Sequence, residues 1–215
     1  MIKLDKRLSA IQNEIRGKLI ADIGCDHGKL SVSSLINGKC ERVIAGDVSA
    51  GSLSKTVSLA KEYDLANKID CRLTDGFDNI SEDLDTAIIA GLGGYEIKSI
   101  LTKKIPNITR LVLCPHQNAG VLRKALNTLG YGAIKDYVVK EGKKYYQIIV
   151  AEKNDIRFLD SELRFGKNIP PSSEYREMLL ARKEILDERF VGRDIPDGEM
   201  KEEYQEIEKC LKSEM

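Results

Sequence analysis

The chain lacks any apolar run approaching the roughly 20 residues a membrane span requires, and its opening, MIKLDKRLSAIQNEIRGK, is too charged for a secretory signal. A cytoplasmic protein with no membrane partner is expected. It also lacks a C-x-x-C pair. Cys25, Cys40, Cys71, Cys114 and Cys210 are odd in number and widely scattered, which argues against a disulfide framework and against a zinc site. Buried reduced thiols and no metal are the expectation. Net charge is missing too, with 34 basic against 34 acidic residues, which argues against a protein that coats itself in nucleic acid. The balance is uneven along the chain, however: residues 156–215 are net acidic and the remainder net basic. A modest basic face is enough to steer a polyanion, because local potential governs encounter more than total charge does. Internal repeats and low-complexity tracts are absent as well. The 215 residues therefore suffice for one core plus an appendage or a decorated edge.

What is present is organised around Leu19 to Leu30, LIADIGCDHGKL. Leu19, Ile20, Ala21 and Ile23 form the short apolar run of a parallel strand covered on both faces. Asp22, Gly24, Asp26 and Gly28 then alternate, placing carboxylates and permissive backbone at the carboxyl end of the strand, where open α/β sheets bind ligands. The G-x-G-x-x-G of dinucleotide folds is missing here. Two acids would repel a pyrophosphate at a helix N-terminus, so the turn argues for a ligand without phosphates.

These residues resemble a known pattern. Asp22-x-Gly24-x-Asp26-x-Gly28 is similar to the acid-x-Gly-x-Gly-x-Gly turn of class I S-adenosyl-L-methionine methyltransferases, with an aspartate for the second glycine. DIGCDH resembles the DIG(S/T)DH signature of the bacterial tRNA (adenine-N1)-methyltransferase family TrmK, whose members modify adenine 22 of tRNA. The resemblance implies an α/β, Rossmann-like, seven-stranded sheet with a C-terminal antiparallel helix pair. It also implies S-adenosyl-L-methionine as cofactor, tRNA as partner, and a monomer or weak dimer.

Along the chain, residues 2–17 carry apolar residues at helical spacing and predict an amphipathic helix ending at Gly17. Its Leu4-Asp5-Lys6-Arg7-Leu8 resembles the family's L-S-x-R-L opening; Arg7 reaches the cofactor or substrate mouth, or is a solvated surface arginine. Residues 28–37 read as a helix ended by Asn37-Gly38. Val43 to Asp47 is a strand whose acid, followed by Val48, stands where nucleotide-binding α/β folds place a carboxylate on a ribose diol. The alternative role for Asp47 is to cap the helix that begins near Ser49 or Ala50. Residues 50–66 predict a helix and 69–73 a strand. Thr74-Asp75-Gly76 follows, whose counterpart in the resembled family lies beside the cofactor's adenine; alone it is only a turn.

Residues 86–90 predict a strand leading into Gly91-Leu92-Gly93-Gly94-Tyr95. This resembles the family's G-M-G-G, not the N-P-P-Y-like tetrad of exocyclic-amine methyltransferases, and leaves room for a bulky planar group. Tyr95 offers stacking on a base or simple packing. Residues 111–114 predict a strand followed by Pro115-His116-Gln117-Asn118, where the family reads Q-P-N. Cys114 and His116 are thus departures. A helix over 119–129 and a hairpin of strands over 131–140 and 145–152 complete the sheet. Beyond it, Glu162-Leu163-Arg164-Phe165-Gly166 resembles the family's E-L-x-F-G hinge. Tyr175, Leu179, Leu186 and Phe190 then mark one helical stripe, and Met200, Tyr204, Ile207 and Leu211 another. The expected division is a cofactor domain over 1–155 and a hinge with helical appendage over 156–215.

For chemistry, Asp26 is the catalytic candidate and His27 its companion. The competing roles are a helix cap for Asp26 and a backbone-satisfied histidine for His27. Cofactor contacts are expected from Arg7, Asp22, Gly24, Asp47, Val48, Asp75, Gly76 and Gly91. Substrate contacts are expected from Gly93, Gly94, Tyr95, Pro115 and Arg164, with Arg157 and Lys167 nearby as phosphate contacts. Cys114 as a nucleophile, a methyltransferase of small molecules or proteins, and a non-catalytic RNA-binding or scaffolding module are the competing readings.

Overall fold

The computed structural model describes residues 2–213. After a helix α1 (Lys6–Glu14), the elements alternate as β1 (Leu19–Ile23), α2 (Lys29–Ile36), β2 (Arg42–Asp47), α3 (Ala50–Glu62), β3 (Ile69–Leu73), β4 (Leu84–Ala90), α4 (Gly94–Thr102), β5 (Ile108–Cys114) and α5 (Ala119–Leu129). A hairpin of β6 (Tyr131–Glu141) and β7 (Lys144–Lys153) follows, then a single turn α6 (Asp160–Leu163) and the long helices α7 (Ser173–Arg189) and α8 (Glu199–Ser213). The strands form one seven-stranded sheet in the order β3-β2-β1-β4-β5-β7-β6. Every pairing is parallel except those of β7, which runs antiparallel to both β5 and β6.

Alternating side chains send one set to each face, as a doubly covered sheet requires. On β5, Leu111 and Leu113 join α4 and α5 through Ile97, Leu101, Leu122 and Leu126. Val112 and Cys114 point the other way, towards Ile11 and Ile15 of α1, Leu30 of α2 and Leu53 of α3.

Helix α1 is shorter than the expected 2–17. Asp5 caps it, accepting from Leu8 N at 2.7 Å, and the backbone turns extended at Ile15. The cause is the distant strand β4: Thr86 accepts from Arg16 N, and Asp85 accepts from Lys18 N and Leu19 N. Gly17 passes so close to Asp85, at φ +97°, that a Cβ would stand 2.1 Å from the Asp85 Cβ. Two further helices stop short of, or start beyond, their predicted ends by a few residues, with α3 closing at Glu62 instead of 66.

At the far edge, Val138 of β6 and Phe165 of the hinge pack with Tyr175, Leu179, Leu186 and Ile207. The hinge is held by Arg123, which is fully buried. Its guanidinium donates to both carboxylate oxygens of Asp136, to Gln147, and to the carbonyls of Leu163 and Arg164. Arg182 of α7 makes a two-pronged pair with Glu203 of α8.

Candidate active site

The strand order reverses direction between β1 and β4, and the crevice outside the carboxyl ends of strands at such a point is where open α/β sheets bind ligands. A cleft of about 730 Å³ lies there. Its floor is the β1–α2 turn. Gly24 adopts φ +75°, and a Cβ at that position would project into open space, so backbone faces the cleft directly.

Asp22 is buried at the end of β1 and accepts from Ser31 Oγ at 2.6 Å. Desolvation pushes its carboxyl up to about 6, against the lowering effect of the Ser31 bond; the neighbouring Asp47 charge adds to the rise. Asp47 ends β2 with one oxygen accepting from Ser49 N (2.8 Å) and the other from Asp26 N (3.0 Å). It does not cap α3 itself, because Ser49 does so through Ser52 N. Each carboxylate oxygen retains acceptor capacity beyond its one backbone donor. Asp47 therefore ties the two cleft turns together while still facing the ligand space.

Asp26 sits at φ +50°, a left-handed conformation that aspartate tolerates better than most residues. The helix-cap role falls away: the N-cap of α2 is Gly28, with no side-chain cap bond. The Asp26 carboxylate is 76% exposed and lines the cleft, with His27 Nε2 3.4 Å from its Oδ1. The His27 ring also lines the cleft, with Nε2 2.9 Å from Lys55 Nζ of α3.

The remaining walls come from later loops. Asp75 faces the cleft and is held by Lys103 at 2.6 Å, with Gly76 at φ +63° beside it. Gly91 and Leu92 line the opposite wall, stitched to the β5 loop by His116 N donating to Leu92 O and Gly94 N to Gln117 O. Arg7 and Val48 complete the rim. All eight residues expected to contact the cofactor thus line one cleft.

The expected substrate residues are placed differently. Gly93, Gly94, Tyr95 and Pro115 stand beside the cleft without lining it; Tyr95 is exposed and Pro115 buried. Gly94 is required by close approach, since a Cβ there would meet Asn118 O at 2.1 Å. Arg164 lies away from the cleft with its guanidinium on Glu206 and Glu199 of α8, Lys167 is paired with Glu162, and Arg157 donates to Asn154 O. Cys114 is buried and its thiol is pushed up to about 11 by desolvation; Cys25 and Cys40 rise to about 12 for the same reason. Such a thiol supplies almost no thiolate, so the nucleophile reading is set aside. Sequence reasoning missed Lys103, Glu96 and His116 as cleft residues; for His116 the departure from Q-P-N was the available signal.

A seven-stranded sheet of this order, with an acid-lined, glycine-floored cleft at its switch point, defines a class I methyltransferase. Residues 4–149 match the family model described as a methyltransferase domain. The tRNA (adenine(22)-N(1))-methyltransferase of Bacillus subtilis is 33% identical over 159 residues, covering 72% of this chain and 67% of that protein. The crystal structure of the B. subtilis m1A22 tRNA methyltransferase TrmK superposes with a TM-score of 0.77 at 26% identity, over 99% of this chain and 97% of that one. A Streptococcus pneumoniae protein solved in complex with S-adenosyl-L-methionine superposes with a TM-score of 0.87 at 27% identity, over 98% of this chain and 100% of that one. The chain belongs to the bacterial tRNA (adenine-N1)-methyltransferase family TrmK.

Proposed function

We propose that this protein transfers a methyl group from S-adenosyl-L-methionine to N1 of adenine 22 in tRNA. The observation that carries the reading is the turn in which Asp47 pins the backbone of Asp26 while the Asp26 carboxylate, beside His27, stays exposed in the cleft. S-adenosyl-L-methionine supplies an electrophilic methyl on a positively charged sulfur. The lining fits such a cation: Asp22, Asp26, Asp47 and Asp75 all face it, and no anion-binding loop is present at the turn. Asp47 suits a ribose diol, Asp75 an exocyclic amine, and Gly24 the close approach of a chain along exposed backbone.

Adenine N1 attacks with its lone pair as the carbon–sulfur bond breaks and the sulfur keeps its electrons. Positive charge then spreads over the purine to its exocyclic amine. Asp26 accepts a hydrogen bond from that amine and takes its proton, an interaction that strengthens as the charge develops. His27, oriented by Lys55, borders the same space and orients the base. The thioether leaves neutral, so the chemistry needs alignment more than acid or metal assistance. In this reading residues 1–155 hold the cofactor and residues 156–215 extend the surface offered to tRNA, in a cytoplasmic monomer or weak dimer.

The test is base-modification mapping of total tRNA incubated with the protein and labelled S-adenosyl-L-methionine. Label at N1 of adenine 22 is the expected result. Label confined to small molecules or protein, or none at all, overturns it.

A further inference from the structure

One cleft residue is left over from this account. His116 is exposed, yet its backbone is fixed on the facing wall through Leu92 O at 2.9 Å, and its Nε2 lies 3.7 Å from the position a Cβ on Gly91 would occupy. Beside it stands a row of planar groups that leads to Arg7 on the rim. The ring of Tyr146, on β7, is 6.4 Å from His116 centroid to centroid at a 55° tilt, and the Arg7 guanidinium lies 5.4 Å from the centroid of the Tyr146 ring. An isolated surface histidine has no such backing. Here three elements, α1, β7 and the β5 loop, converge to hold one imidazole at the mouth.

We propose that His116 is the platform on which the target adenine stacks, with Tyr146 and Arg7 as positioning residues that hold its ring. This inference rests on the proposed tRNA reaction. Gly91 has no side chain, so nothing on that wall covers the exposed imidazole where it borders the cleft, and a flat base can stack on its open face. Every base offers a π-face to an aromatic ring. The face also interacts better with the base once methylation has made the purine cationic, so the contact strengthens towards the transition state.

The experiment compares wild type, His116→Ala and His116→Phe on a tRNA transcript in single-turnover methylation. Cofactor affinity is measured by calorimetry, and binding of a transcript carrying 2-aminopurine at position 22 is followed by its emission. His116→Ala should lower the methylation rate roughly 10- to 100-fold, the scale of one lost base–aromatic stack, while cofactor affinity stays within two-fold. His116→Phe should restore most of the rate. Bound 2-aminopurine should emit more strongly with His116→Ala than with wild type or His116→Phe, because an unstacked base is not quenched. Normal rate and unchanged emission in His116→Ala, with wild type active, overturn the platform alone. A wild-type protein that leaves adenine 22 unmodified overturns the reading beneath it.

Discussion

At the scale of single residues, four aspartates face one cleft, and substitutions at three of them separate their proposed roles. Asp26→Asn keeps the side chain's size and removes its charge, so turnover should fall by roughly 100-fold or more. The melting temperature should hardly move, because the carboxylate is exposed and caps nothing. Near-normal single-turnover rates would remove the catalytic role. Asp47→Ala withdraws the acceptor of two backbone donors as well as the proposed ribose contact, and calorimetry should find cofactor affinity reduced by about 1–3 kcal/mol. Unchanged affinity would end the assignment of Asp47 to the ribose. Asp22 governs pH dependence. Its carboxyl is raised from 3.8 to about 6 in the folded protein, so the native state binds the extra proton. The contribution to stability is fully present below pH 3.8 and is lost as pH rises through 6. Asp22→Asn should therefore flatten the change in unfolding free energy between those limits, measured by denaturant titration; an unaltered profile would refute the burial argument.

At the scale of elements, the strands were legible because their apolar runs are short and bounded by turn residues. Val43 to Asp47 and Ile69 to Leu73 show this, and α5 was readable to the residue from its stripe and Gly130. The turn that floors the cleft was legible too, since alternation of Asp and Gly in DIGCDH marks a ligand-facing strand end. What escaped depends on contacts between distant segments. Asp5 ends α1 locally, but the reason the chain leaves the helix at Ile15 lies in Thr86 and Asp85, some seventy residues on. Lys103 enters the cleft only because α4 ends beside the Asp75 turn. The hinge is the strongest case: neither Arg123 within an ordinary helix nor Asp136 within an ordinary strand announces that they meet, fully buried, under Leu163. Removing one partner of such a pair strands a buried charge. Arg123→Met should cost about 3–5 kcal/mol in denaturant unfolding, more than any exposed substitution on α5. A loss below about 1 kcal/mol would show that the hinge is held by its apolar contacts instead.

At the scale of the whole molecule, the cleft lies at the middle of the sheet, between β1 and β4, and the helix pair lies at its β6 edge. No residue of α7 or α8 lines the cleft, and the pair rests on β6 through Val138. Removing residues 173–215 should leave cofactor affinity within a few-fold and weaken tRNA binding, read by filter binding at fixed salt; equal tRNA affinity would make the pair a stabilising element only. Polar replacements at Val138 and Phe165 would keep the shortened protein soluble, since both lose their cover. The buried thiols of Cys25, Cys40 and Cys114 turn the same architecture into a clock. With pKa values of about 11 to 12, roughly one part in a thousand or less is ionised at pH 8, so alkylation has to wait for the sheet to open. A ligand that binds only the closed form lengthens that wait by a factor of one plus the ratio of its free concentration to its dissociation constant. The half-time of thiol labelling, plotted against S-adenosyl-L-methionine concentration, should then be a straight line whose intercept divided by its slope is the dissociation constant, obtained from the unaltered protein without a chromophore or a substitution.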